Sequence, residues 1–166
     1  MKIVLSHHQV RPLLDAHTRQ ETTAEVSLDL GMSLTPVDLE PQGVHILEPL
    51  SSQERGRGEV FILLPWESLT AIAADENGCY EILGADAPRK IQCYSELTGR
   101  AYSLYPTSGA PTMLVSGLPM HRIKDTDPHQ DTLEKIKAAK PAGNVLDTCT
   151  GLGYTAIEAS KLVSVA

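Results

Sequence analysis

Cysteine is scarce. Three stand among 166 residues, Cys79, Cys93 and Cys149, and no two are closer than 14 positions. No C-x-x-C pair is present for zinc, and an odd count makes no disulfide framework. Cys79 and Cys93 read as buried apolar residues in a reduced compartment. Long apolar runs are also missing. The longest, Val60 to Pro65, is far short of the roughly 18 residues of a membrane span. The start, Met1-Lys2-Ile3-Val4-Leu5, meets Ser6-His7-His8 too soon for a signal peptide's apolar region. A soluble, cytoplasmic protein without membrane contact is the expectation. No run of like charge exceeds two residues, which speaks against a disordered tail.

Positive charge is thin where nucleic acid would need it. Residues 1–112 hold 8 Lys and Arg against 15 Asp and Glu, and residues 113–166 hold 6 against 6. No basic stripe for a phosphate backbone results. Tyr94 and Tyr102 could stack on a base, but with only Arg100 beside them packing is the simpler reading. Ser6, Ser51 and Ser116 lie in no G-x-S-x-G setting, so nothing points to a serine hydrolase. His7, His8 and His17 have no partner carboxylate or cysteine at ligand spacing. They read as exposed polar residues near a terminus, and no metal site is assigned.

What is present falls into two textures. Up to residue 112 the chain reads as short strands. Ala24 to Leu30 alternates with period two, and Leu34 to Leu39 returns as its partner. Gly43 to Leu47 is another strand. Val60 to Leu64 is apolar throughout, which predicts burial on both faces. Asn77-Gly78 is a turn signal, followed by an apolar strand from Cys79. Lys90 to Ser95 and Ala101 to Tyr105 flank Gly99 as a hairpin. One helix interrupts, Trp66 to Ala74, and the spacing of Trp66, Leu69 and Ile72 makes that Trp a core residue. Residues 113–143 read as a linker: a strand at Met113 to Val115, then a helix capped by Asp127 with Pro128 first. An independently folding β-rich domain, 1–112, is expected before it.

The tail is the informative part. Asn144 to Asp147 reads as a strand, Thr148 to Gly153 as a turn and Tyr154 to Leu162 as a helix. Strand, glycine turn and helix open a doubly wound nucleotide-binding sheet. The glycines let backbone approach a ligand, and the helix start supplies unpaired N–H groups. A dinucleotide fingerprint begins with glycine directly after the strand. Here Asp147 ends the strand, and the glycines follow four and six positions later. A carboxylate there suits an ammonium group, which a dinucleotide lacks.

Val145-Leu146-Asp147-x-x-x-Gly151-x-Gly153 resembles the first motif of class I, Rossmann-like S-adenosylmethionine (SAM) methyltransferases. Over roughly residues 77–160 the chain also looks like a group of uncharacterised methyltransferases of archaea and some bacteria that place a β-rich domain first. The resemblance implies SAM as cofactor and methyl transfer to an acceptor it does not identify. It implies cofactor contacts from Asp147, Thr148, Cys149, Thr150, Gly151, Gly153 and Tyr154. Cys149 stands where the motif's first glycine falls, and a positive φ there would strain it. In several such enzymes the segment upstream of the motif folds over the cofactor, so His121 and Arg122 are further candidates. The plain alternative for that pair is a solvated turn.

The overall expectation is α+β: a β-rich domain, then the beginning of a SAM-binding sheet from residue 144. The acidic residue that would hold the ribose belongs about 20 positions past Asp147, at or beyond Ala166. The chain alone is therefore expected to be inactive, and its apolar tail to pair with a second copy. Two rival readings are an aminopropyltransferase of the spermidine synthase kind and a non-enzymatic β-domain binding or oligomerisation module.

Overall fold

The computed structural model describes residues 3–48, 60–84 and 86–162. Helices and antiparallel sheets mix in it, an α+β arrangement. The chain divides into two compact units, Met1–Ile91 and Gln92–Ala166.

The first unit holds the apolar core. Strand β1 (Ile3–Leu5) leads into helix α1 (His7–Thr18). A four-stranded antiparallel meander follows: β2 (Thr23–Val26), β3 (Thr35–Glu40), β4 (Gly43–Glu48) and β5 (Val60–Pro65). Helix α2 (Trp66–Ala74) then precedes β6 (Tyr80–Ile82) and β7 (Arg89–Lys90), and β6 lies between β1 and β7 in a second sheet. Ile3, Leu5, Val10, Leu13, Val44, Ile46, Leu69, Ile72 and Ile82 are fully buried together. Gly43 has a packing reason. A Cβ on it would lie 2.2 Å from the Leu64 carbonyl oxygen of the paired strand.

Helix α1 is the main element absent from the sequence reading. Its start is nonetheless written in Ser6 and Gln9, a reciprocal capping box. The Ser6 hydroxyl accepts from the His8 N–H at 3.3 Å, and the Gln9 side-chain Oε1 accepts from the Ser6 N–H at 3.0 Å. Pro12 inside the helix and three histidines hide the pattern. The burial of Val10, Leu13 and Ala16, three apart, shows it. Of the three histidines expected to be exposed, His8 and His17 are exposed and His7 is not. His7 is buried, and its Nδ1 finds no hydrogen-bond partner among the described residues. The His17 ring stacks on Trp66 at 4.0 Å, while the Trp66 indole donates to the Glu40 carbonyl.

A pH dependence follows. Burial, reinforced by Arg11, holds the His7 imidazole below its ordinary value; Glu76 and Asp75 oppose this more weakly. The unfolded chain takes up that proton near pH 6.5, and the folded unit resists it. Stability is therefore complete above that pH and declines as pH falls below it. Urea midpoints for the first unit should drop between about pH 7.5 and pH 5, and drop less in His7→Gln. A midpoint that rises on acidification would contradict the assignment.

Three other expectations need correction. Strand β5 is buried on one face only: Ile62 and Leu64 are inside and Leu63 is exposed. The strand expected over Ala24 to Leu30 stops at Val26, because Ser27 and Leu28 are both buried as the chain bends toward β1. The Asp29 carboxylate then gathers the Met32 and Ser33 N–H groups into a turn. Cys79 is buried as expected, its thiol pushed up to about 12 by burial, but Cys93 is exposed on a strand face.

The second unit is a β meander with two helices. Strands β8 (Gln92–Ser95), β9 (Arg100–Tyr105), β10 (Thr112–Val115) and β11 (Leu118–Pro119) pair in sequence, all antiparallel. The β8–β9 hairpin forms as its glycine loop predicts. The change of texture at residue 112 is not a boundary between the units. Strand β10 pairs with β9 across it, Thr112 opposite Tyr105. Helix α3 (Pro128–Ala139) starts where its cap signal puts it, the Asp127 carboxylate accepting from the His129 and Gln130 N–H groups. Helix α4 (Tyr154–Leu162) lies beside α3. Residues 144–147 pair with no described strand, contrary to expectation. No helix among the described residues is long and apolar enough to cross a membrane.

Candidate functional site

The turn before α4 is closed by its own side chains. The Asp147 carboxylate accepts from the Cys149 N–H at 3.0 Å and from the Thr155 hydroxyl at 2.5 Å. These two donors, Thr155 foremost, hold its carboxyl below the usual carboxylate range. The Thr150 hydroxyl donates to the Asp147 carbonyl at 3.3 Å, and the Thr150 carbonyl accepts from the Gly153 N–H at 2.7 Å. One carboxylate thus ties the start of the turn to the first turn of the helix.

Backbone conformation separates the two glycines from their neighbours. Gly151 has φ +55° and Gly153 φ +85°. Cys149 is not among the residues with positive φ, so its side chain stands there without strain. The departure from the glycine motif costs the turn nothing. The N–H groups of Gly151 and Leu152 make no hydrogen bond among the described residues. They form a pair of donors on an open turn beside the start of α4.

The segment 111–121 is latched onto this turn at three points. Met120 packs on Gly151, where an added Cβ would lie 2.7 Å from its sulfur. The His121 ring meets the Tyr154 ring at a centroid distance of 5.3 Å. The Tyr154 hydroxyl donates to the Pro111 carbonyl at 2.9 Å. His121 is anchored in turn by the fully buried Thr112, whose hydroxyl oxygen lies 2.9 Å from its Nδ1. Burial first, then Lys135, lowers the His121 imidazole from its ordinary value, with Asp131 opposing. Asp131 is buried on α3 and paired with Lys135 at 2.6 Å. Helix α4 is tied to α3 by Glu158, which meets His129 at 3.1 Å.

Of the residues singled out in the sequence, Asp147, Cys149, Thr150, Gly151, Gly153, Tyr154 and His121 come together here. Thr148 and Arg122 are exposed and take no part in these contacts. The plain alternative, a solvated turn, describes Arg122 and not His121. Thr112, Met120, Thr155, Asp131 and Lys135 were not legible as site residues. Thr155 alone carried a local signal, eight positions after the aspartate and one turn into the helix.

The apolar residues flanking the turn stay largely open: Leu146 is 85% exposed, Leu162 61% and Ile157 52%, while Ala159 alone on α4 is buried. No group of three or more His, Cys, Asp or Glu is placed to hold a metal ion among the described residues.

No protein-family model matches the chain. The chain is similar to the uncharacterized protein MJ1233 of Methanocaldococcus jannaschii, 55% identical over 62 residues, which are 36% of this chain and 21% of that protein. The chain's match spans about a fifth of that relative's length.

Proposed function

We propose that the turn 147–154 is the cofactor turn of a class I SAM-dependent methyltransferase domain. One observation carries this reading. Two glycines at positive φ sit between a carboxylate that closes the turn and the start of a helix, with free N–H groups on the open side. That donor set fits the methionine part of SAM. The carboxylate of the ligand would meet the Gly151 and Leu152 N–H groups and the start of α4, where the helix dipole favours negative charge. SAM supplies an electrophilic methyl group when bound. The chain's residues shape the turn: Asp147 orders it, the glycines keep Cβ atoms off it, and Met120 with His121 lines one side. The methyltransferase sheet beyond this turn, and the whole protein's activity, belong to the same proposal.

Several of the turn's residues are exposed. Calorimetric titration of this chain with SAM should therefore show nothing tighter than about millimolar. Weak binding is still visible by NMR, as SAM-dependent shifts concentrated in residues 147–154. Where the turn sits within a complete sheet, Asp147→Ala should lower SAM affinity about tenfold or more, because the turn loses its charge-assisted closure. The absence of any SAM-dependent shift in 147–154 at about 10 mM ligand overturns the reading.

A further inference from the structure

We propose that His121 is the proton acceptor of this site, held by Thr112 in the Nδ1–H tautomer, and that the methyl acceptor is a molecule whose nucleophilic nitrogen or oxygen still carries its proton. The proposal rests on the methyltransferase reading above and deepens it.

The argument begins at Thr112, which has no exposed surface. Its hydroxyl oxygen lies 2.9 Å from His121 Nδ1, 3.3 Å from the His121 backbone nitrogen and 3.5 Å from the Met113 carbonyl oxygen. The backbone N–H can only donate, so it takes one lone pair of the hydroxyl. The Met113 carbonyl can only accept, and the proposal gives it the hydroxyl's proton. The remaining lone pair then faces Nδ1, which must bring a proton to it. Nδ1 is thereby N–H, and in a neutral ring Nε2 is left with its lone pair. No described residue bonds to Nε2.

The surroundings keep the ring neutral and in place. Burial and Lys135 disfavour a positive charge on it, and Asp131 opposes them. Asp131 is itself engaged by Lys135. The Tyr154 ring meets the imidazole at the first residue of α4, and Met120, the chain neighbour of His121, packs on Gly151. A neutral imidazole with an open Nε2, one residue from the side chain that packs on Gly151, is placed to take a proton.

The balance of the reaction gives the substrate class. Methyl transfer breaks the donor's S–C bond and forms a C–N or C–O bond with a lone pair of the acceptor. The sulfonium leaves as a neutral thioether. If the acceptor atom carried a proton, that N–H or O–H bond breaks and its proton passes to His121 Nε2, giving imidazolium. A carboxylate or a thiolate has no proton to lose and would not need this residue. The site therefore suits an amine or a hydroxyl compound.

The test uses this chain, labelled with ¹⁵N in its histidine rings. At about pH 7 the His121 resonances should report Nδ1–H with Nε2 unprotonated. In Thr112→Val, which keeps the shape but removes the hydroxyl, the Nε2–H tautomer should appear. An Nε2–H tautomer in the unmodified chain overturns the proposal. S-Adenosylhomocysteine, as the probe, is then added to about 10 mM. Shifts at His121 together with Gly151 and Gly153 support the proposal. Shifts at the glycines that leave the His121 ring unmoved overturn it while the methyltransferase reading stands. No shift at either place removes the methyltransferase reading, and the proposal with it.

Discussion

Gly151→Val is expected to be the most damaging single change in the turn. Gly151 sits at φ +55°, a conformation that a β-branched residue adopts only under strain. Strain of this kind costs on the order of 1–3 kcal/mol. The new side chain would also meet the Met120 sulfur, 2.7 Å from the position of its Cβ. The two effects act on different groups and can be separated. Gly151→Ala meets both on a smaller scale. Adding Met120→Ala to it relieves the collision and leaves the backbone strain. In a protein with the complete sheet, Gly151→Val should lower SAM affinity by about 10- to 100-fold, more than Asp147→Ala. In this chain it should shift the Tyr154 and His121 resonances, because Met120 lies next to His121 in the latch. Full SAM affinity in both Gly151→Val and Asp147→Ala would leave the turn without a role in binding.

The largest effect on stability is expected at Leu69. It has no exposed surface and sits on α2 within the core of the first unit. Leu69→Ala should cost about 2–5 kcal/mol, the transfer of the lost methyl groups plus the cavity left behind. For a unit of this size that lowers the melting temperature by about 4–8 °C per kcal/mol. Leu97 is the control. It is 95% exposed in the β8–β9 loop, and Leu97→Ala should stay within about 0.5 kcal/mol. Melting followed by the single Trp66, which packs against that core, reads the first unit directly. A midpoint for Leu69→Ala within error of the unmodified chain would contradict the core described here.

The candidate site was half legible in the sequence. Asp147, Gly151 and Gly153 declare themselves through spacing, because carboxylate closure and positive φ are requirements of a local turn. His121 was visible only as a residue upstream of the motif. The Thr112 hydroxyl at its Nδ1, the Tyr154 ring beside it and the Met120 sulfur over Gly151 could not be read in advance. Those contacts join residues 9 to 33 positions apart, and no local rule links them.

The sequence by itself determined the elements whose ends are held by neighbours in the chain. Asp127 and Pro128 start α3, Gly99 turns the β8–β9 hairpin, and α4 runs from Tyr154 to Leu162 as its pattern predicts. A cap or a turn satisfies backbone groups within a few residues, so its signal is local. Tertiary structure alone decided what faces what. It buried His7, exposed Cys93 and Leu63, left 144–147 without a described strand partner, and carried β10 across residue 112 to pair with β9. The physical reason is the same in each case. Burial and strand pairing depend on which distant segment supplies the covering surface or the second row of hydrogen bonds, and an apolar or alternating stretch shows only that it can accept one.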